Sequence, residues 1–269
     1  MPFSARQGFF KGATTPPGPT LWTPAEITTL VWLDAFDGSE LTLNGSDVSA
    51  WNNKSGGTDF TQATAANQPA YDSTNNCVTF DGVDEFMSAN DKFVSTGNPD
   101  FLCVMLTNFL SLQSTSDRLF QLEGGEPSGV ISVGHGSGGT GWNWRHNNGF
   151  RAFNSGATTG LYMTSWQRSA GTGYSDDETW ENGTQLSLTS GNNPSNVPTI
   201  SSNFSTVGRG AGGNVGQFFY SNARVHELVF AEVDSTDTRQ KIEGYMAWRW
   251  GNEGDLPVSH PYKNAAPTV

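Results

Sequence analysis

The chain has 269 residues, 32 of them glycine and 13 proline, with only 15% charged residues and a net charge of −12. Fourteen basic against 26 acidic side chains argue against nucleic acid and against anionic membrane surfaces, both of which need clustered Lys and Arg. There is no 18-residue apolar window, and the first ten residues contain no apolar run of signal-peptide length, so a soluble chain without a standard export signal is expected.

Residues 1–23 read as an extended arm: Phe3, Phe9 and Phe10 sit among small residues ahead of Thr14-Thr-Pro-Pro-Gly-Pro19. The arm is either a disordered leader or a segment that orders by inserting those phenylalanines into a neighbouring subunit. From Ile27 onward the chain turns to strands. Ile27–Leu33, Val48–Trp51, Cys77–Phe80, Phe101–Leu110, Leu119–Leu122, Val130–Val133, Trp142–His146, Phe150–Phe153, Leu161–Trp166, Thr199–Val207 and Val225–Phe230 are β-branched or aromatic runs separated by Gly, Asn, Ser and Asp. Many short strands with no helix between them predict an antiparallel sandwich or barrel. Cys77 and Cys103 each lie in such a run. They are either a disulfide between adjacent strands or two buried thiols. Asn182-Gly183 is the best hairpin signal, since both central positions of a type I′ turn need positive φ.

One helix is predicted, from about Arg239 to Trp250. Ile242, Tyr245, Met246 and Trp250 form its apolar stripe, Ser235 is a candidate N-cap, Asp237 lies in the first turn and Gly251 stops the run. A lone amphipathic helix after a strand must lie on a sheet. Gly244 in its middle fits a close approach to that sheet. The last segment, 255–269, is Pro-punctuated, and Leu256 and Tyr262 can pin it back across the domain body, residues 24–254.

Several segments taken together resemble a known family. Leu30-Val-Trp-Leu-Asp-Ala35, Val48-Ser-Ala-Trp-Asn-Asn-Lys-Ser-Gly56, Gln68-Pro-Ala-Tyr71 and Val78-Thr-Phe-Asp-Gly-Val-Asp-Glu-Phe-Met87 resemble the opening of concanavalin A-like (laminin G-like) jelly-roll domains. Trp180-Glu-Asn-Gly183, Val207-Gly-Arg-Gly-Ala-Gly-Gly213, Arg224–Phe230 and Ile242–Gly251 continue the series over roughly residues 28–262. Thr238 departs from the pattern, which often has Glu at this place as the partner of the capping Ser. The first ten residues also resemble openings of tailed-phage virion proteins. The resemblance implies an all-β, two-sheet antiparallel jelly-roll sandwich with one C-terminal α-helix.

It also frames the chemistry to look for. Glycosidases on this fold bring two or three carboxylates together on one strand, and retaining chemistry needs a pair about 5 Å apart. Asp177 and Glu181 share a strand face but are about 13 Å apart along a regular strand, while Glu178 and Glu181 point to opposite faces. His135, His146, His226 and His260 are scattered, and no G-x-S-x-G occurs. Metal and cofactor are therefore expected to be none, with calcium through Asp81, Asp84 and Asp91 the one admitted exception. For sugar, the candidate set is Trp142, Trp144 and His146. Trp142 and Trp144 share one strand face, with Asn143 and Arg145 on the other. If the tryptophan face is wet it can hold a glycan; if it meets the opposite sheet, both rings are core.

The resulting expectation is a non-enzymatic phage virion protein, assembled in the host cytoplasm. It would be a capsid decoration or tail-appended domain that touches capsid or tail proteins through Phe3, Phe9 and Phe10, with a trimer suited to threefold lattice positions. The alternative is a glycan-binding adhesin that recognises cell-surface carbohydrate.

Overall fold

The computed structural model describes residues 20–95, 99–112, 117–123, 131–136, 141–146, 149–154, 159–170, 177–192, 203–211 and 218–269. Phe3, Phe9 and Phe10 lie outside them. The strands, in chain order, are β1 (Val31–Asp34), β2 (Leu41–Asn44), β3 (Asp47–Trp51), β4 (Phe60–Thr61), β5 (Ala70–Asp72), β6 (Cys77–Asp81), β7 (Met87–Ala89), β8 (Phe101–Phe109), β9 (Asp117–Glu123), β10 (Ile131–His135), β11 (Trp142–His146), β12 (Gly149–Phe153), β13 (Gly160–Arg168), β14 (Glu178–Glu181), β15 (Thr184–Gln185), β16 (Leu188–Asn192), β17 (Phe204–Val207), β18 (Arg209–Ala211), β19 (Phe218–Tyr220) and β20 (Asn222–Ala231). Helix α1 (Thr236–Trp250) follows.

The strand pairings among the described residues are antiparallel. One layer runs β15–β14–β13–β8–β20, and the two halves of β20 continue into β6 and β1. The other runs β4–β7–β17–β9–β10–β11–β12–β16. Strand β3 pairs with β2, β4 and β5 and joins the layers at one side. This is the expected β-sandwich.

The alternation of β8 shows how the layers stack. Phe101, Cys103 and Met105 point into the core between the sheets, where they meet Phe120, Val133, Trp144, Val207 and Phe230. Leu102, Val104 and Leu106 point the other way and lie under α1, with Trp32, Met163, Val229, Ile242, Tyr245 and Met246. A strand buried on both faces reads as an unbroken apolar run, which is why Phe101-Leu-Cys-Val-Met-Leu106 shows no alternation. Burying each large side chain contributes about 1.5–3 kcal/mol.

Helix α1 begins where Ser235 Oγ accepts the Thr238 amide at 3.2 Å, and it ends at Gly251 with φ of 73°. It is also pinned by buried charge. Asp34 Oδ2 accepts from Lys54 Nζ at 2.8 Å and from Arg249 Nη2 at 2.6 Å. Glu227 accepts the indole N–H of Trp32 at 2.8 Å and of Trp250 at 2.6 Å. The close approach at Gly244 is not to the sheet: a Cβ there would lie 2.6 Å from Tyr262 Cβ. The C-terminal segment is thus seated on the helix, with Leu256 in the helix-side core. Trp22 also joins that core and Leu21 bridges Thr268, so residues 20–23 belong to the body and not to an arm. Cys77 and Cys103 are free and buried. Strand β20 lies between β6 and β8, so the strands that carry them are not neighbours.

Candidate functional site

Strands β9, β10 and β11 form the middle of the second layer. Their inward residues Phe120, Val133 and Trp144 stand opposite one another in register, as do His135 and Trp142. Trp142 and Trp144 are wholly buried. Their indole N–H groups donate to Glu181 at 2.6 Å and Thr179 Oγ1 at 3.0 Å. Neither ring can stack on a sugar, so the wet reading of this pair is corrected: these rings fill the core. His146 closes β11 opposite Ile131; its side chain is not among those described.

The alternate residues of the same strands make the other face. One row is Gln121–Ser132–Arg145 and the next is Arg118–Gly134–Asn143. Directly opposed residues on one face bring their Cβ atoms within about 5.5 Å, so these six positions form one polar patch. Gly134 contributes no side chain because none fits: a Cβ there would run into the Asp117 carbonyl oxygen. Thr206 of β17 extends the first row beside Gln121. The β18–β19 hairpin lies on this face over β9. A Cβ on Gly210 would lie 2.7 Å from Arg118 Cβ and run into the Gln121 amide, so glycine permits the contact. Phe219 covers the Arg118 guanidinium, with 5.6 Å from Cζ to the ring centre. Arg209 is clasped between Phe86 and Phe218, at 3.6 and 4.1 Å.

The patch is polar yet buried. Arg118 is 1% exposed, Ser132 0% and Asn143 5%. Arg118 Nε, Ser132 Oγ and Asn143 Oδ1 make no hydrogen bond among the described residues. Buried polar atoms are nearly always hydrogen-bonded, and an unmet one costs about 1–3 kcal/mol. The patch is also basic in an acidic protein. Burial first, and the neighbouring Arg145 second, bring Arg118 down to about 9, with Asp117 acting the other way.

The remaining candidates named from the sequence do not converge. Glu178 accepts from Gln185 Nε2 at 2.7 Å, whereas Glu181 faces the core and Trp142, so the two carboxylates lie on opposite faces of β14 as expected. Asp176 lies outside the described residues. Asp81 Oδ1 accepts the Val83 amide at 2.8 Å, and Asp91 accepts from Phe93 N and Thr58 Oγ1, both at 3.0 Å. Asp81, Asp84 and Asp91 form no calcium cradle: among the described residues no three His, Cys, Asp or Glu side chains are grouped to hold a metal. His226 packs on Trp250, and burial takes it down to about 4. A concavity of about 530 Å³ lies between Leu21–Thr23, α1 and Ala265–Pro267. It is mostly apolar, and its polar groups are already engaged. Trp248 Nε1 donates to Tyr262 O at 2.8 Å, and Arg249 donates to Tyr245 Oη at 2.9 Å.

No protein-family model matches the chain, and no curated protein matches it in sequence. Solved structures share its fold. The Trypanosoma rangeli sialidase superposes with a TM-score of 0.53 at 16% identity, covering 79% of this chain and 32% of the sialidase. The same sialidase with 2,3-difluorosialic acid, as a covalent intermediate, gives 0.51 at 16% identity, over 85% and 34%. An arabinofuranosidase complexed with arabinofuranosyl-alpha-1,2-xylobiose gives 0.53 at 14% identity, over 73% and 50%. The chain therefore spans about a third of the sialidase and half of the arabinofuranosidase. These likenesses, at 14–16% identity, show the fold: an all-β sandwich. They also overturn the expectation of a non-enzymatic protein. Both proteins are enzymes, so the sandwich is no ground for excluding catalysis.

Proposed function

We propose that this protein recognises carbohydrate through the polar face of β9, β10 and β11. The observation that carries the reading is the set of three buried atoms without a hydrogen bond among the described residues, Arg118 Nε, Ser132 Oγ and Asn143 Oδ1, on neighbouring strands of one face. A saccharide offers both donors and acceptors at close spacing, as such a face requires. The proteins that share the fold support the reading, since one is a sialidase and the other an arabinofuranosidase. The virion role, with its capsid or tail partners and trimer, is supported by the opening sequence alone and ranks below carbohydrate recognition for that reason.

The test is a glycan array followed by calorimetry on the wild type, Ser132→Ala and Asn143→Ala. Removing a polar group that the protein leaves unmet should keep or raise the melting temperature while abolishing binding. Binding that survives both substitutions, or a wild type that binds no saccharide, rejects the proposal.

A further inference from the structure

We propose that Phe9 and Phe10 seat in the apolar groove between α1 and the C-terminal segment of the same molecule. The groove has a volume of about 530 Å³, and its walls include Leu21, Trp22, Tyr245, Trp248, Ala265 and Pro267. Trp22 and Tyr245 are buried, whereas Leu21 is 61% and Trp248 37% exposed. Large apolar side chains left open beside a concavity mark a surface that another apolar group covers. The polar groups of the wall are turned to the protein itself. Trp248 Nε1 donates to Tyr262 O, and Arg249 donates from Nη1 to Tyr245 Oη and from Nη2 to Asp34. The occupant is therefore apolar, since a sugar or an anion would lose its water here and gain few hydrogen bonds.

Place, reach and charge select the first 19 residues as that occupant. Thr20, where the described residues begin, stands beside the groove. Its carbonyl accepts the Val269 amide at 3.0 Å, Leu21 bridges Thr268, and the Trp22 amide donates to Pro267 O at 2.9 Å. The segment that precedes Thr20 thus joins the body at the groove's own wall, and its rings are Phe3, Phe9 and Phe10. From Thr20 back to Phe10 is ten residues, a reach of up to about 33 Å, and Gly12 and Gly18 permit the chain to double back. Residues 1–19 carry Arg6 and Lys11 and no acidic side chain, while the remainder of the chain carries 12 basic and 26 acidic ones, a charge of −14. A basic segment is drawn to an acidic body. A tether this short also gives an effective concentration of millimolar order, so a molecule fills its own groove ahead of a second copy's. Phe9 and Phe10 are then closed to a neighbouring subunit while the groove holds them.

Hydroxyl-radical footprinting of the full chain, read by mass spectrometry, tests this. In a Phe9→Ser, Phe10→Ser double variant, Trp248 and Leu21 should label about fivefold faster than in the wild type, because protection follows the fraction of molecules with the groove closed. Wild-type protection should hold over a roughly hundredfold dilution, since a tethered contact does not depend on protein concentration. Ala265→Glu places a charge on the groove wall at an exposed position, and it should speed the labelling of Phe9 and Phe10 by a similar factor. Equal labelling of Trp248 in the wild type and the double variant overturns the proposal. Protection that fades on dilution, together with a dimer in sedimentation, also overturns it, because the phenylalanines then occupy a second copy's groove. Should the double variant not fold, Ala265→Glu decides alone: Phe9 and Phe10 labelling as slowly as in the wild type overturns the proposal.

Discussion

Gly244 offers the cleanest test of how the C-terminal segment is held. In an exposed helix, replacing this glycine by alanine gains about 1 kcal/mol. Here the new methyl would lie 2.6 Å from Tyr262 Cβ, 2.7 Å from its Cγ and 2.8 Å from its Cδ2. Tyr262 is held there through its carbonyl, which accepts from Trp248 Nε1, and through its amide, which donates to His260 Nδ1 at 3.2 Å. Three contacts that short force the segment off the helix, an overpacking cost of about 2–3 kcal/mol. The net loss for Gly244→Ala is then about 1–2 kcal/mol, a fall in melting temperature of roughly 2–6 °C by calorimetry. In a Tyr262→Gly background all three contacting atoms are gone, and the same substitution should gain about 1 kcal/mol. A double-mutant cycle on denaturant curves should therefore return a coupling of about 2–3 kcal/mol. If Gly244→Ala stabilises the wild-type chain, or costs the same without Tyr262, the segment does not pack on this helix as described.

Glu227 is raised to about 7, by burial first and by the nearby Asp34 second, against the hydrogen bonds from Trp250 and Trp32. Between about pH 4.5 and 7 the folded protein holds a proton that the unfolded chain has released, so stability falls as pH rises through that window and levels above it. The total is about 3 kcal/mol. Glu85, raised to about 7 by burial and by Asp81, acts in the same direction. The difference between wild type and Glu227→Gln in urea midpoints from pH 4.5 to 8 isolates the Glu227 share; parallel curves would refute it. Both thiols should resist a thiol reagent at pH 8 in the folded protein and titrate as two on denaturation, since burial takes Cys77 up to about 11 and Cys103 well above its ordinary value. Fast labelling of either thiol in the native state would show that it is not buried.

Local signals were legible where local chemistry is sufficient. Ser235 and Gly251 bound the helix because capping needs only a few adjacent residues. Asn182 and Gly183 take φ of 48° and 76° and close a hairpin, as the dipeptide demands. Alternation separated Trp142 and Trp144 from Asn143 and Arg145, but it could not say which side was core. That depended on the facing sheet: the core became the side where Phe101 and Trp166 meet the tryptophans. Arg118 carried no signal at all, because it matters through Ser132 and Asn143 on strands that only register brings beside it.

By itself the sequence determined the strand-rich class, the single helix with its caps and the tight hairpin, because these follow from φ preferences and periods of two and 3.6 within short windows. Tertiary structure decided which face of each strand meets the other sheet, that Gly244 yields to Tyr262 and not to a strand, and that three polar atoms stand without hydrogen bonds among the described residues on one buried face. Each of these depends on contacts between residues distant in the chain, and no window of sequence contains both members of such a pair.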